Sequence, residues 1–113
     1  MLFNKMGLDS SILKAVKDLG FEGATPIQEK VIPQILEENN DLLALAQTGT
    51  GKTIAFLVAT FHHLLTNPSD SNSSNPRAII MAPTRELAVQ VVEEAKALIS
   101  KVIFARFAFP DLL

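Results

Sequence analysis

The sequence predicts an α/β domain in which a parallel β-sheet is flanked by helices. Two short and mostly apolar runs, residues 42–46 (LLALA) and 77–82 (RAIIMA), have the composition of strands buried on both faces of a sheet. A helical pattern follows each run, and a glycine-bearing loop joins the first run to its helix. This alternation of strand and helix favours parallel strands that are connected by right-handed crossovers.

Apolar periodicity and helix-end signals predict four helices and a third strand. In the first helix, Asp9 is the expected N-cap and Gly20 the expected stop signal. The second helix begins at Pro26 and contains Pro33, which is expected to kink it or to tighten one turn. The third strand is predicted at residues 102–109 (VIFARFAF). In chain order, the predicted helices cover residues 10–19, 26–37, 52–65 and 85–100.

The length and composition are those of one globular domain or a piece of one. The 113 residues are 48% hydrophobic and carry a formal net charge of −2, so any binding of nucleic acid must use a local site. The absence of cysteine excludes disulfides and thiolate metal sites. No apolar run is long enough to span a membrane and no secretory signal opens the chain, so a cytoplasmic protein is expected. His62 and His63 are expected on a helix surface, because neighbouring helical residues point about 100° apart and no other metal ligands cluster with them.

Residues 46–53 (AQTGTGKT) match the phosphate-loop pattern G-x-x-x-x-G-K-[S/T], except that Ala46 replaces the first glycine. The glycines allow the backbone amides to surround a phosphate at the start of a helix. Lys52 would reach the β and γ phosphates, and the Thr53 hydroxyl would coordinate Mg²⁺. An ordinary strand-to-helix connection is the alternative, and the position after a predicted strand favours a nucleoside triphosphate site. The candidate residues are Ala46, Gln47, Thr48, Gly49, Thr50, Gly51, Lys52 and Thr53.

Thr25 and Gln28 have the spacing of a capping box at the start of the second helix. The Thr25 hydroxyl would bond the third helical amide, while Gln28 would reach back to the capping amide. Pro26 fits the first helical position, where no amide proton is needed. The alternative is that Gln28 contacts a ligand, because a primary amide can both donate and accept hydrogen bonds.

Residues 83–85 (PTR) lie where the second predicted strand gives way to a helix. Pro83 would end the strand and Thr84 would cap the helix. Arg85 is not explained in this way, since a cation in the first turn opposes the helix dipole by ~0.3–1 kcal/mol. A phosphate of a nucleic-acid backbone would suit Arg85 and the helix amides together, and pairing with a carboxylate elsewhere in the domain is the alternative.

Three stretches together resemble the DEAD-box family of ATP-dependent RNA helicases: GFEGATPIQ (20–28), AQTGTGKT (46–53) and PTRELAVQ (83–90). They are similar to the Q motif, motif I and motif Ia of that family in order and spacing. The family usually has alanine at the position of Ala46, and Phe3 stands where its isolated upstream aromatic is found. The resemblance implies a P-loop NTPase (RecA-like) domain with an N-terminal helical Q-motif region, ATP and Mg²⁺ as cofactors, and RNA as partner.

The resemblance also implies roles for individual residues. Gln28 would make two hydrogen bonds to the adenine edge, Phe21 would pack on the base and Phe3 would support the site. Thr25 would couple this site to the phosphate loop, and Thr53 would hold the metal through the nucleotide. The sugar-phosphate backbone of RNA, without readout of its sequence, would be contacted by Pro83, Thr84 and Arg85.

The sequence departs from the family in its length and in its last residues. Its 113 residues contain no Asp-Glu-Ala-Asp box, so no acidic residue is expected to hold Mg²⁺ and orient the attacking water, and Asp111 is not expected to substitute. We therefore expect a truncated helicase domain that binds ATP without hydrolysing it, with the remainder of the helicase core absent. A fragment of a related DNA helicase and a vestigial product of a truncated gene are the alternatives. The expected parts are Q-motif helices (1–40), phosphate-loop and motif Ia units (41–100) and a divergent tail (101–113).

Overall fold

The computed structural model of the chain describes residues 2–37, 41–47, 49, 51–67 and 75–108, with only the backbone for 107 and 108. The regular structure in these ranges is helical, and the first three predicted helices are confirmed to within one residue. Helix α2 continues through Pro33. The elements are a 3-10 turn at Phe3–Lys5 and helices α1 (Ser10–Asp18), α2 (Pro26–Glu37), α3 (Lys52–Thr66) and α4 (Arg85–Ala108).

Both predicted end signals of α1 are confirmed. The Asp9 carboxylate accepts a hydrogen bond from the amide of Ser11 at 2.9 Å, as an N-cap does. Gly20 follows the helix with a φ of 93°, a left-handed conformation that glycine adopts without steric cost. Helix α1 therefore has the start and the end that its sequence indicates.

Helix α4 is longer than predicted, and the prediction of a third strand is wrong for residues 102–108, whereas Phe109 lies outside the described residues. The helix continues through Ser100 to Ala108. Leu98, Val102 and Ala105 recur at helical spacing and are buried, and α4 packs more extensively on α1 than on any other helix of the described chain. The β-branched and aromatic residues of this run suggest a strand, but tertiary packing outweighs that local preference.

The predicted parallel sheet is not confirmed. Residues 42–46 and 77–82 form neither a helix nor a β-ladder, and their large apolar side chains are exposed. One isolated antiparallel bridge, between Leu2 and Gly23, is the β-pairing found in the described residues. Strands of the predicted kind need partners on both sides. Within the part of the chain that the structure describes, these two segments have none.

The hydrophobic core lies between the helices. Helix α1 contributes Ile12, Ala15 and Val16, and α3 contributes Leu57 and Val58, all of them buried. The apolar ring of Phe3 and the side chain of Ile32 from α2 close the same cluster. Among the described residues, no helix is both long and apolar enough to cross a bilayer.

A polar cluster joins the start of α1 to α3 and α4. His62 Nδ1 accepts a hydrogen bond from the amide of Asp9 at 2.9 Å, and Arg106 forms an ion pair with the Asp9 carboxylate at 3.2 Å. The Ser11 hydroxyl donates to the same carboxylate and accepts from Arg106 Nε at 3.2 Å. The expectation that both histidines lie on the surface is thus wrong for His62, which is partly buried, whereas His63 is exposed.

The two titrating groups of this cluster have lowered pKa values. Burial raises the pKa of Asp9. The hydrogen bonds from Ser11 and the charges of Arg106 and His62 together lower it by more than burial raises it, so the pKa lies below its ordinary value. Burial and then the neighbouring His63 lower the pKa of His62, against an opposing effect of Asp9. Neutral His62 and ionised Asp9 are therefore the states that this packing stabilises.

We expect the free energy of unfolding to fall as the pH drops below about 6.5, the ordinary pKa of histidine. Because the pKa of His62 is lower in the folded chain, the unfolded chain takes up this proton first, and stability present above the unfolded pKa is lost on acidification. Protonation places a hydrogen on Nδ1 and removes the acceptor of the Asp9 amide. Asp9 titrates in a separate window, since its contribution is lost only as the pH falls below 3.8 and through its lowered pKa.

Urea denaturation between about pH 7 and pH 5 checks this expectation. His62→Asn keeps an acceptor oxygen near the position of Nδ1 but does not titrate, so its stability should vary less with pH. His63→Asn is the comparison variant, because it removes only the smaller of the two effects that lower the pKa of His62 and leaves the burial of His62 in place, so it should reduce the pH dependence less than His62→Asn does. If the stability of His62→Asn varied with pH as much as that of the unchanged chain, protonation of His62 would not be the cause of the loss of stability.

Candidate functional site

The phosphate loop opens helix α3 in a conformation that suits an anion. Gly51 is the N-cap of α3, with a φ of 86° and no capping side chain. Among the described residues, the amides of residues 52–54 have no hydrogen-bond acceptor, and the first helical amide to bond backward is that of Ala55, to the Gly51 carbonyl at 3.1 Å. Unpaired amides at the positive end of a helix form a donor set for phosphate.

The side chains of the loop are consistent with this donor set. Lys52 is exposed and Thr53 is partly buried at the start of α3, where an ammonium and a hydroxyl would stand beside the amides. Gly49 has a φ of 83°, so both glycines of the pattern hold left-handed conformations. Ala46 and Gln47 are the first two residues of the loop, whereas Thr48 and Thr50 lie outside the described residues. The residues present therefore fit the phosphates of a nucleotide.

Thr25 and Gln28 form the capping box that their spacing predicts. The Thr25 amide donates to Gln28 Oε1 at 2.9 Å, and the Gln28 amide points at the Thr25 hydroxyl oxygen at 3.4 Å. Gln28 is buried, with 1% of its surface exposed. The structural interpretation of Gln28 is thus confirmed, while its contact with adenine stays a prediction.

Gln28 also reaches the phosphate loop, a contact that the sequence did not reveal. Its Nε2 donates to the carbonyl of Gly51 at 3.1 Å, across 23 residues of chain. A Cβ at Gly51 would lie 2.3 Å from that nitrogen, so the close approach requires glycine. The start of α2 and the start of α3 are therefore held together by one buried amide.

Replacing Gln28 by glutamate is expected to lower the free energy of unfolding by about 1–3 kcal/mol. The carboxylate can still accept from Thr25, but its second oxygen faces the Gly51 carbonyl and has no proton to donate. Gln34→Glu is the matched control, because Gln34 is exposed on the same helix and should change stability little. Urea denaturation measures both variants, and equal stabilities would contradict the role of the Gln28–Gly51 bond.

Phe3 and Phe21 line a cavity of about 560 Å³ beside helix α1. Phe3 is buried and Phe21 is partly buried, and Lys14 and Lys17 of α1 also face the cavity. Gln28 is not among the residues that line it. The cavity thus brings the two predicted aromatic residues together without the glutamine.

A second cavity, of about 460 Å³, lies beside the phosphate loop. Lys52, Thr53 and Pro83 all line it, so the phosphate loop and the predicted RNA-contact stretch at residues 83–85 border the same cavity. Its remaining walls are mostly apolar and come from α2, α3 and α4. The two segments predicted as strands, 42–46 and 77–82, close it from the other side through Leu42, Ala44, Met81 and Ala82.

The PTR stretch begins helix α4 as predicted. The Thr84 hydroxyl accepts from the amide of Leu87 at 3.2 Å, which confirms Thr84 as the N-cap. Pro83, Thr84 and Arg85 are all exposed. Within the described part of the chain, Arg85 has no carboxylate partner. The alternative in which Arg85 pairs with an acid of the domain thus finds no support in these residues.

The backbone is similar to that of solved RNA helicases. It matches the RNA helicase Prp28 from Chaetomium thermophilum bound to ADP with a TM-score of 0.80 and 35% identity, over 89% of this chain and 24% of that one. It matches the DEAD-box helicase Mss116 bound to single-stranded RNA and UDP-BeF with a TM-score of 0.80 and 41% identity, over 92% of this chain and 21% of that one. The class of protein is therefore that of the RecA-like helicase domains.

Sequence comparison identifies the family. The model of the DEAD/DEAH box helicase family matches residues 25–109, three quarters of the chain. The chain belongs to this family, which confirms the resemblance carried by its three motifs. The matched range includes residues after Ser100, where the sequence alone suggested that the resemblance ends.

Curated relatives are RNA helicases of greater length. The ATP-dependent RNA helicase RhlB of Pseudoalteromonas atlantica is 53% identical over 96 residues, which are 85% of this chain and 22% of the relative. RhlB of Aliivibrio salmonicida is 50% identical over 100 residues, which are 87% of this chain and 23% of the relative. The chain thus spans less than a quarter of the length of these relatives.

Proposed function

We propose that the chain is the part of a DEAD-box RNA helicase that binds ATP with Mg²⁺ and contacts the RNA backbone. The observation that carries the proposal is the start of α3. There Gly51 adopts a left-handed conformation and offers no capping side chain, while Lys52 is exposed beside unpaired helix amides. Lys52 binds the β and γ phosphates, and the Thr53 hydroxyl coordinates the Mg²⁺ that accompanies them.

Gln28 recognises adenine in this proposal, after a change in its hydrogen bonds. In its present position the side-chain amide of Gln28 is buried and bonds to Gly51 and Thr25. These two bonds use one of the two Nε2 protons and one of the two Oε1 lone pairs. Binding of the base exchanges the Gly51 carbonyl for the adenine edge, and Phe21, supported by Phe3, packs on the base. Support comes from the contact itself, because the residue that reads the base already touches the loop that holds the phosphates.

Contact with RNA is assigned to the start of α4. The exposed Arg85 and the adjoining helix amides favour a phosphate, and such contacts position a nucleic acid without reading its sequence. A solved relative, Dbp5 of S. cerevisiae, is described as bound to RNA and ADP BeF3 and is 33% identical over 88% of this chain. RNA rather than DNA is the nucleic acid named for these relatives.

The chain alone does not hydrolyse ATP in this proposal. The 113 residues contain no Asp-Glu-Ala-Asp sequence, and no group of three or more acidic, histidine or cysteine side chains able to hold a metal occurs among the described residues. Hydrolysis needs a residue that orients the attacking water, in addition to the phosphate loop. The loop therefore binds the nucleotide without supplying the complete chemistry.

Calorimetric titration of the chain with ATP and with GTP, each with Mg²⁺, tests the proposal. We expect ATP to bind more tightly than GTP, because the oxygen and protonated ring nitrogen of guanine reverse the donor and acceptor pattern that the Gln28 amide meets. Equal affinity for the two nucleotides would contradict the role of Gln28 and leave the phosphate loop in place. Absence of binding to either would contradict the nucleotide site as a whole.

A further inference from the structure

Helix α4 carries a row of exposed and mostly aliphatic side chains. Val89, Val92, Ile99 and Ile103 are 46%, 49%, 43% and 61% exposed, respectively. Together with Lys96, which is also exposed, they recur at alternating intervals of three and four residues. We call these five residues the α4 stripe. Their spacing is that of the contact seam between two packed helices.

The α4 stripe is not a face that the fold already uses. Leu98 and Val102 are buried where α4 packs on α1, and each precedes a stripe residue by one position, so the stripe lies about 100° around the helix from that packing. No stripe residue lines either of the two cavities described above. Leu87 and Val91 do line the cavity beside the phosphate loop, so a different face of α4 is directed there.

A protein helix suits the α4 stripe better than RNA does. Apart from Lys96 the stripe is aliphatic, whereas the bases of single-stranded RNA are held mainly by aromatic rings and guanidinium planes. Glu93 lies beside the stripe, and its carboxylate would repel a phosphate backbone. The stripe therefore favours an apolar helix that also offers a negative charge to Lys96.

A second copy of α4 in the antiparallel direction has these properties. Val89 would lie opposite Ile99 of the second copy and Val92 opposite Lys96 of the second copy, because both pairs have their midpoint at residue 94. In this register the ammonium of Lys96 passes Val92 of the second copy and reaches Glu93 next to it. Two-fold symmetry repeats the same contact, as in the usual interface of a homodimer.

The charges of the stripe select this register. Neither Lys96 nor Glu93 forms an ion pair with another described residue. An antiparallel register that pairs Lys96 with Ile99 would place Ser100 beside the ammonium, without a negative charge. A parallel arrangement would place Lys96 against its own copy. Pairing of Lys96 with Glu93 thus distinguishes one arrangement from the others.

We propose that two copies of this chain associate through the α4 stripe as an antiparallel pair of helices, with Lys96 of each copy paired to Glu93 of the other. Four aliphatic side chains from each copy form a small contact, so the dimer is expected to be reversible and to depend on protein concentration. The proposal does not depend on nucleotide binding.

Sedimentation equilibrium of the full chain over a range of concentrations, without nucleotide or RNA, tests the proposal. We expect an equilibrium between monomer and dimer. Lys96→Glu and Glu93→Lys should each weaken the dimer by about tenfold or more, because each places like charges together at two symmetric positions. The two substitutions combined restore opposite charges across the contact and should recover the affinity of the unchanged chain.

Lys101→Glu is the matched control, because Lys101 is an exposed lysine of the same helix that lies about 140° around it from Lys96. It should leave the equilibrium unchanged, and circular dichroism verifies that each variant keeps its helices. A monomer at every concentration would overturn the proposal. If that monomer bound single-stranded RNA and Lys96→Glu weakened the binding, RNA would be the occupant of the stripe.

A dimer would also overturn the proposal if the single substitutions left it intact or if the combined substitutions did not recover it. Association would then run through another surface, such as the exposed apolar segments 42–46 and 78–82.

Discussion

Replacing Lys52 by alanine is expected to weaken the binding of ATP with Mg²⁺ by about 10- to 100-fold, which corresponds to the ~1.5–3 kcal/mol of a hydrogen bond to a charged group. The ammonium group contributes a mobile positive charge at the start of α3. Because Lys52 is exposed, its removal leaves no buried polar group unpaired, and the free energy of unfolding should change little.

Lys96→Ala is the matched control for this prediction. Lys96 is also an exposed helical lysine, but it lies on α4 outside both cavities. Titration of the two variants with a fluorescent ATP analogue gives their affinities directly. If Lys52→Ala bound ATP as tightly as Lys96→Ala does, the loop would not be the phosphate site.

Gly51→Ala is expected to be the most destabilising single change in the loop. A left-handed alanine costs about 1–2 kcal/mol, and Gly51 has a φ of 86°. In addition, the new Cβ would lie 2.3 Å from Gln28 Nε2 and 3.3 Å from the Thr25 hydroxyl oxygen. Gln28 must then leave its two hydrogen bonds inside a buried site, at a further cost of about 1–3 kcal/mol.

Gly49→Ala separates these two effects. Gly49 has a similar φ, of 83°, but no atom of the described residues lies within 4 Å of a Cβ built on it. It should therefore show only the backbone cost, and the difference in unfolding free energy between the two variants measures the displacement of Gln28. Equal destabilisation of the two variants in urea denaturation would show that the hydrogen bonds of Gln28 do not require glycine at position 51.

Features set by nearby residues could be predicted from the sequence. Asp9, Thr25 and Thr84 each cap a helix as their local patterns indicate, because a capping side chain bonds amides two or three residues away. The phosphate loop is of the same kind, since the glycine conformations and the start of α3 follow from a short pattern.

Features set by distant residues could not be predicted in this way. The bond from Gln28 to Gly51 and the ion pair of Arg106 with Asp9 join residues 23 and 97 positions apart, and no local pattern encodes either. The prediction of a third strand was wrong for the same reason. Val102 and Ala105 lie in a helix, and their burial comes from packing on α1, which is distant in the sequence. The parallel sheet predicted from segments 42–46 and 77–82 is likewise not found among the described residues.

The central claim is that this chain holds ATP but lacks the group that activates water. A single-turnover experiment tests it most directly, with the chain in excess over radiolabelled ATP in the presence of Mg²⁺ and single-stranded RNA. We predict that ATP is retained by the chain and recovered intact, because the proposal assigns phosphate binding to Lys52 and the α3 amides while the 113 residues contain no Asp-Glu-Ala-Asp sequence to orient the attacking water. Release of phosphate that RNA accelerates, and that Lys52→Ala abolishes, would contradict the claim.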